Sequence, residues 1–202
     1  MHPNSTFRLE HRATLEALIE EVCFGMVFAV TPDGPRVAHT PVVSTGDGAV
    51  QFHLSSGNAL TRHLDGTTAL IVVNGPDAYV SPRWYAAAGQ VPTWNYVALE
   101  LEGRVRRMAR EGTEALLGRI GAMQEPRIIA GGKPWQPDTV PRDYWDRLMR
   151  GIVGFELEVQ AWRPTFKLSQ NKDAADREQI ADGLEASGSR AMATLMRTFA
   201  PQ

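Results

Sequence analysis

Four polar stretches interrupt the apolar segments of this 202-residue chain, and their side chains are the ones that could bind a ligand. In chain order they read AHTP at 38–41, FHLSSGN at 52–58, YVSPRWY to VPTWNY at 79–96 and FKLSQN at 166–171. Imidazole, hydroxyl, amide and ammonium groups cost free energy when they are buried without hydrogen bonds. Each stretch is therefore either a structural corner whose polar groups bond one another or the wall of a ligand site.

The second stretch has the composition of an anion-binding turn. A predicted strand leads into Ser55, Ser56 and Gly57, and Asn58 then begins a predicted short helical link over residues 58–64. Ser and Asn are preferred helix caps, and free N–H groups at a helix start with hydroxyls nearby also bind phosphate. The pattern is common in loops, so capping alone explains it as well as a phosphate site does.

The third and fourth stretches collect aromatic and donor side chains. Trp84, Tyr85 and Trp94 fall within one loop-and-strand unit, and aromatic rings with one polar end suit ligand walls, subunit interfaces and ordinary cores alike. Lys167 and three further donors follow the last predicted strand, where a lysine would meet a phosphate as a point charge. A solvated loop that caps the next helix is the alternative.

The sequence lacks the common signatures of catalysis and of metal binding. It contains no GxSxG, HExxH, Walker or GxGxxG motif, and no nucleophile and base at a recognisable spacing. Its single cysteine, Cys23, cannot form an intrachain disulfide and lies among apolar residues, which predicts a buried hydrophobic role. These observations argue against a hydrolase or a metalloenzyme.

The elements that must position these stretches follow from the period of the apolar residues, which predicts mainly β structure with helices (α+β), as a small barrel or sandwich. Strands are predicted at residues 24–30, 36–44, 49–54, 67–73, 79–81, 93–108 and 152–159, the first three as a meander. Helices are predicted at residues 8–21, 111–123, as a short helix from 141, and from 172 to the end with a break at 187–189.

The last predicted strand decides the domain organisation. An isolated strand cannot satisfy its backbone groups, so residues 152–159 must join the sheet formed by the earlier strands. Residues 1–202 are therefore predicted to form one domain, with 111–150 as a helical insertion before the closing strand and 172–202 as C-terminal helices.

Composition and charge restrict the partners and the location. The apolar share of 43% and the charged share of 22% are ordinary for a globular protein, and a net charge of −2 gives no general attraction to nucleic acid or anionic membranes. The first ten residues do not form a signal peptide, and no apolar stretch is long enough to cross a membrane. The predicted location is the cytoplasm.

The four stretches, in this order, resemble the PaiB family of FMN-binding proteins, which are named as negative transcriptional regulators. The resemblance spans roughly residues 24–184 and implies an FMN-binding split β-barrel related to pyridoxamine-phosphate oxidases and flavin reductases. It also implies a homodimer that holds FMN between its two barrels. The implied cofactor-binding residues are His39, Thr40, His53, Ser55, Ser56, Asn58, Ser81, Tyr85, Thr93, Trp94, Asn95, Lys167, Ser169 and Gln170.

One departure from the family pattern puts the cofactor in question. The family usually shows an arginine and a proline in the second stretch, as in ARANP, where this chain has Ser56 and Ala59. A guanidinium is a natural bidentate phosphate ligand, so its loss is expected to weaken FMN binding by roughly 1.5–3 kcal/mol, or about ten- to hundredfold. FMN is then weakly bound or absent unless Arg36, Arg62 or Lys167 compensates. The loop at 86–90 is also short, which is expected to alter the pocket.

Three hypotheses of function follow. The first is an FMN-binding, regulator-like homodimer without strong catalysis. The second is an FMN-dependent oxidoreductase or FMN reductase that uses NAD(P)H, and the third is a non-catalytic interaction module with a degraded flavin site. Direct DNA contact gains no support from the charge, because the one basic run, RVRRMAR at 104–110, alternates like a solvated strand face. A regulatory partner protein is the alternative to DNA.

Overall fold

The computed structural model describes residues 3–86 and 89–199. Its α-helices are α1 (Arg12–Val22), α2 (Arg110–Gln124), α3 (Arg142–Met149), α4 (Ala174–Ala186) and α5 (Arg190–Thr198). Its strands are β1 (Gly25–Thr31), β2 (Gly34–Thr40), β3 (Val42–Ser44), β4 (Ala49–Ser55), β5 (Thr68–Val80), β6 (Thr93–Arg107) and β7 (Ile152–Lys167). Ala87 and Ala88, in the loop predicted to be short, lie outside the described residues. Within the described part of the chain, no helix is both long and apolar enough to span a membrane.

The strands form one sheet in the order β2-β1-β5-β6-β7-β4-β3, which confirms the predicted mainly β class with helices. By packing, the chain divides into two compact units. The first unit draws on Met1–Leu15, Asn74–Glu100 and Arg163–Gln202, and the second on Glu16–Val73 and Leu101–Trp162. Strands β5, β6 and β7 contribute residues to both units.

The predicted meander of the first three strands is wrong. β1 and β2 form an antiparallel hairpin at one end of the strand order, whereas β3 pairs with β4 at the other end. Pro41 separates β2 from β3. Since proline has no N–H to donate to a ladder, the strand is interrupted there and the chain changes partner. The next residue, Val42, donates its N–H to the carbonyl oxygen of Cys23.

Two further predictions of local structure differ from the fold. Residues 58–64 form successive turns rather than a short helix, with N–H to carbonyl bonds of i→i−3 spacing at Asn58, Thr61 and His63. The strands predicted at 67–73 and 79–81 belong to one strand, β5, because the Asn-Gly-Pro-Asp segment between them stays extended. The turn-forming composition of residues 74–77 thus does not interrupt β5, whereas residues 58–64 fold as turns and not as a helix.

The core of the second unit forms where β4 pairs antiparallel with β7. Phe52 lies opposite Phe155 in the register, both side chains are fully buried, and their ring centroids are 5.5 Å apart. Cys23 is buried with Val43 and Leu116, which confirms its predicted hydrophobic role. The dense packing of Val, Leu and Phe side chains holds β4 in this register, because a slip by one residue would turn the apolar set outward.

The first unit is built around the C-terminal helices α4 and α5. Gly183 on α4 lies against the ring of Trp84, and a Cβ at that position would come within 2.4 Å of the ring. Phe166 at the end of β7 meets Phe199 edge-on, with centroids 5.7 Å apart. Asp173 caps α4 by accepting the N–H of Asp176 at 2.8 Å. The break predicted at 187–189 falls between these two helices.

Glycine is required on β6 where the strand meets β7. A Cβ on Gly103 would stand 1.9 Å from the carbonyl oxygen of Glu158. We expect Gly103→Ala to lower the free energy of unfolding by about 1–3 kcal/mol, because backbone atoms must separate to admit the methyl group. Urea denaturation with the midpoint followed by circular dichroism measures the change.

Gly118→Ala is the matched control. Gly118 lies in α2, and a Cβ there meets no atom within 4 Å. This substitution should raise the free energy of unfolding by about 0.5–1 kcal/mol, since alanine forms helix better than glycine. Equal midpoints for Gly103→Ala and the wild type would show that the strands at this point are not as close as described.

Candidate functional site

The fourteen predicted site residues fall into two groups, one in each unit. The second unit holds His39, Thr40, His53, Ser55, Ser56 and Asn58, and the first unit holds Ser81, Tyr85, Thr93, Trp94, Asn95, Lys167, Ser169 and Gln170.

The AHTP stretch divides its two polar side chains between opposite faces of β2. Thr40 is buried, and its Oγ1 donates a hydrogen bond to the carbonyl oxygen of His53 at 2.5 Å. His39 is exposed on the other face, in register with Met26 on β1. This is the alternation of a strand, so the two neighbours cannot face one ligand from the same side. Thr40 has the structural role of tying the end of β2 to β4.

His53 is the one predicted histidine whose ring is withdrawn from water. It lies on β4 opposite Gly154, and its Nδ1 is buried without a hydrogen-bond partner among the described residues. Burial lowers the pKa of His53, because the charged imidazolium loses its hydration. The ring is therefore neutral near pH 7, and it offers a buried nitrogen that a ligand could satisfy.

The turn after β4 uses most of its polar groups on itself. Ser55 Oγ accepts the N–H of Gly57 at 3.3 Å, and Asn58 Oδ1 accepts the N–H of Leu60 at 2.9 Å. Thr61 Oγ1 donates to the carbonyl oxygen of Ser55 at 2.7 Å. The capping interpretation thus describes Ser55 and Asn58. Ser56 differs: its N–H donates to the carbonyl oxygen of Gly151, while its exposed hydroxyl makes no hydrogen bond within the described part of the chain.

Ser56 opens into a pocket of about 260 Å³ that the sequence did not reveal. We call it the arginine pocket; it is lined by Ser56, Arg107, Met108, Arg110, Thr113, Met149, Arg150, Ile152, Val153 and Gly154. Arg107 belongs to the basic run noted in the sequence, but Arg150 carries no local signal. The β4–β7 register brings it near, because Ser55 pairs with Ile152.

In the first unit, Lys167 is already engaged. Its Nζ donates to Thr93 Oγ1 at 2.6 Å and to the carbonyl oxygen of Trp94 at 2.5 Å, which ties the end of β7 to the start of β6. Burial lowers the pKa of Lys167. None of the three cations expected to compensate for Ser56, namely Arg36, Arg62 and Lys167, lines the arginine pocket.

The SQN segment satisfies itself in the same manner. Asn95 is fully buried and exchanges hydrogen bonds with Ser169, its Nδ2 donating to Ser169 Oγ at 2.9 Å and its Oδ1 accepting at 3.1 Å. Gln170 Oε1 accepts the N–H of Leu168 at 2.7 Å. Ser169 has a left-handed φ of 60°, a costly conformation for a non-glycine residue that its bonds to Asn95 help to hold.

The aromatic stretch combines one buried ring and one half-exposed ring. Tyr85 is buried under Lys172, whose Nζ lies 4.9 Å from the ring centroid. Burial, and then the charge of Asp176, raise the pKa of Tyr85. Trp94 is half exposed, and its Nε1 donates to Asp77 at 3.0 Å. Ser81 Oγ accepts the N–H of the nearby Arg83 at 3.3 Å.

Comparison with known families identifies the architecture. The family described as "Putative FMN-binding domain" matches residues 1–161. The chain belongs to this family. It is 26% identical over 197 residues to the protease synthase and sporulation protein PAI 2 of Bacillus subtilis strain 168, covering 94% of this chain and 93% of that protein. The resemblance to PaiB-type FMN-binding proteins is thereby confirmed.

A fungal relative and two solved structures agree with this assignment. An uncharacterized protein of Emericella nidulans is 29% identical, covering 78% of this chain and 75% of its own length. The FAD and heme binding protein from Mycobacterium smegmatis matches with a TM-score of 0.59 at 18% identity over 87% of this chain and 79% of its own. The flavocytochrome Anf3 from Azotobacter vinelandii gives 0.57 at 15% identity over 81% and 74%. At such identities the structures establish the fold, which is the predicted split barrel.

The lowered pKa of His53 predicts a dependence of stability on pH. The unfolded chain, with an imidazole pKa of about 6.5, takes up the proton before the folded chain does. The stability that neutral His53 contributes is therefore complete above about pH 6.5 and is lost as the pH falls below that value. We expect His53→Gln to show a smaller loss of Tm between about pH 7.5 and pH 5.5 than the wild type does.

Differential scanning calorimetry of the ligand-free protein at the two pH values makes this measurement. Ser55→Ala is the control, because it changes a neighbour of His53 without removing a titrating group, and it should keep the wild-type difference. If the Tm of His53→Gln falls on acidification by as much as that of the wild type, His53 does not cause the loss of stability at low pH.

Proposed function

We propose that this protein binds FMN, with the turn after β4 on the phosphate side and the ring of His53 beside the ligand. The observation that carries the proposal is the buried Nδ1 of His53, which has no partner among the described residues and stands next to the turn of Ser55 and Ser56. Buried polar atoms in native proteins are nearly always paired, so an unpaired one next to a hydroxyl-rich turn indicates a ligand. Membership of the FMN-binding family supports the choice of ligand.

The residues present fit such a cofactor unequally. In the second unit, His53 Nδ1 and the hydroxyl of Ser56 have no protein partners in the described chain and remain available. In the first unit, Lys167, Asn95 and Ser169 already bond protein atoms, so they are not free donors. FMN supplies reversible electron transfer when it is bound. The protein residues would bind and orient it and keep a neutral imidazole beside it.

A homodimer is the second part of the proposal, and an exposed apolar face supports it. On β1, Phe28 lies between Val37 of β2 and Leu70 of β5 in the two registers, and Phe28 and Val37 are 36% and 44% exposed. Val30 on the same face is 79% exposed. A hollow of about 260 Å³ on this face is lined by residues of β1, β2 and β5 and by Glu102 of β6. A continuous apolar row across three strands is typical of an interface, and the occupant we assign is a second copy of this chain.

A regulatory role without strong catalysis completes the proposal. A relative from Bacillus subtilis is named for protease synthesis and sporulation, which supports regulation. Direct DNA binding finds little support, because the net charge is −2 and Arg106 in the basic run pairs with Glu158 at 3.5 Å. Regulation would then act through a partner protein or through the state of the flavin.

Binding of FMN is tested by titration of the purified protein with quenching of flavin fluorescence as the signal. We expect saturable binding, and His53→Phe should weaken it by about tenfold because one buried hydrogen bond is lost. His11→Phe, at an exposed histidine at the start of α1, is the control and should bind like the wild type. No saturable uptake of FMN by the wild type would overturn the proposal. Steady NAD(P)H oxidation in the presence of FMN would instead favour the oxidoreductase hypothesis.

The dimer is tested by a charge on the exposed face. Phe28→Asp places a carboxylate in the middle of the apolar row, and we expect the dimer dissociation constant measured by analytical ultracentrifugation to rise by at least about a hundredfold. Ile129→Asp is the matched control, since Ile129 is fully exposed outside this face. A wild-type protein that sediments as a monomer, or a Phe28→Asp variant that remains dimeric, would contradict the assignment.

A further inference from the structure

The arginine pocket holds two positive charges that the described protein does not neutralise. Of the three arginines that line it, Arg110 pairs with Glu114 at 2.9 Å and with Asp146 in a closer contact. Arg142, from outside the pocket, shares the same two carboxylates. Two arginines therefore balance two carboxylates. The other two arginines of the pocket, Arg107 and Arg150, take no part in these ion pairs.

Neither of those two side chains has a counterion. Within residues 3–86 and 89–199, the guanidinium groups of Arg107 and Arg150 make no ion pair and no hydrogen bond. Asp65 approaches Arg107 but accepts its backbone N–H, at 2.9 Å, and does not bond the guanidinium. No carboxylate lines the pocket, and its wall includes Met108, Met149 and other apolar side chains. Such a wall lowers the local dielectric constant and strengthens the field of the two cations.

We infer that the arginine pocket binds a phosphomonoester dianion, with Arg107 and Arg150 as its two guanidinium ligands and the Ser56 hydroxyl as a third donor. Two monovalent cations match the charge of a phosphomonoester, and the planar fork of arginine suits its oxygens. A pocket of about 260 Å³ admits a phosphate group but not a whole flavin.

Two kinds of ligand could supply this phosphate. One of them is FMN, and for that ligand the inference rests on the proposed function. The phosphate is either the terminal phosphate of FMN, which we place at the turn of Ser55 and Ser56 beside the pocket, or the phosphate of a separate ligand. Both sources present the same dianion to Arg107 and Arg150. They differ in whether removal of the two guanidinium groups changes the affinity for FMN.

The experiment compares three probes on the full chain: FMN, riboflavin, which lacks the phosphate, and inorganic phosphate. The double variant Arg107→Gln/Arg150→Gln removes both charges with little change of size. Arg104→Gln is the matched control, because Arg104 is exposed on β6 and does not line the pocket. Flavin affinities are measured by fluorescence quenching and phosphate binding by the thermal shift. Circular dichroism of each variant checks that it is folded.

If the phosphate of FMN occupies the pocket, the double variant loses about ten- to hundredfold in FMN affinity and keeps its riboflavin affinity, while Arg104→Gln matches the wild type. If a separate ligand occupies it, inorganic phosphate stabilises the wild type and not the double variant, whatever FMN does. In that case the inference holds even where FMN does not bind and the proposed function fails. The inference is overturned if the double variant retains the wild-type response to both FMN and inorganic phosphate, or if the wild type responds to neither.

Discussion

The antiparallel pairing of β4 with β7 is the constraint on which the second unit depends. It joins two segments that are separated in sequence by β5, β6, α2 and α3. The stacked pair Phe52 and Phe155 fixes its register, and that register places Ser55 opposite Ile152. The turn after β4 and the pocket beside Ser56 take their positions from this one alignment. A shift of β4 by one residue would turn His53 and Ser55 toward the apolar face and Phe52 away from it.

The hydrogen-bond partners of the polar side chains separate those that stabilise the fold from those that are free to bind a ligand. Lys167, Asn95, Ser169 and Gln170 lie in motifs shared with the PaiB-type proteins, yet each of them bonds protein atoms. Among the described residues, the atoms beside the turn after β4 that lack a protein partner include the buried Nδ1 of His53 and the hydroxyl of Ser56. A motif in the sequence thus marks the place of a site, while the unpaired atoms in the fold mark where a ligand could make contact.

Much of the fold was predictable because burial on one face of a strand leaves a period of two in the sequence. β6 occupies residues 93–107 where 93–108 was predicted, and α2 occupies 110–124 where 111–123 was predicted. Strand partners were not predictable in the same way, because pairing is set by distant residues, as the wrong meander shows. In the site, the local capping of Ser55 and Asn58 could be foreseen. Arg150 could not, because only the β4–β7 register brings it to Ser56.

The long separation of β4 from β7 also orders the events of folding. The β1–β2 hairpin closes across the two-residue turn of Pro32 and Asp33, so its loop-closure entropy is small. β4 has to wait for the residues of β7, because closing a longer loop costs more entropy and the partner strand emerges later from the ribosome. Until residue 158 has been made, the β4 edge that receives β7 has open backbone groups.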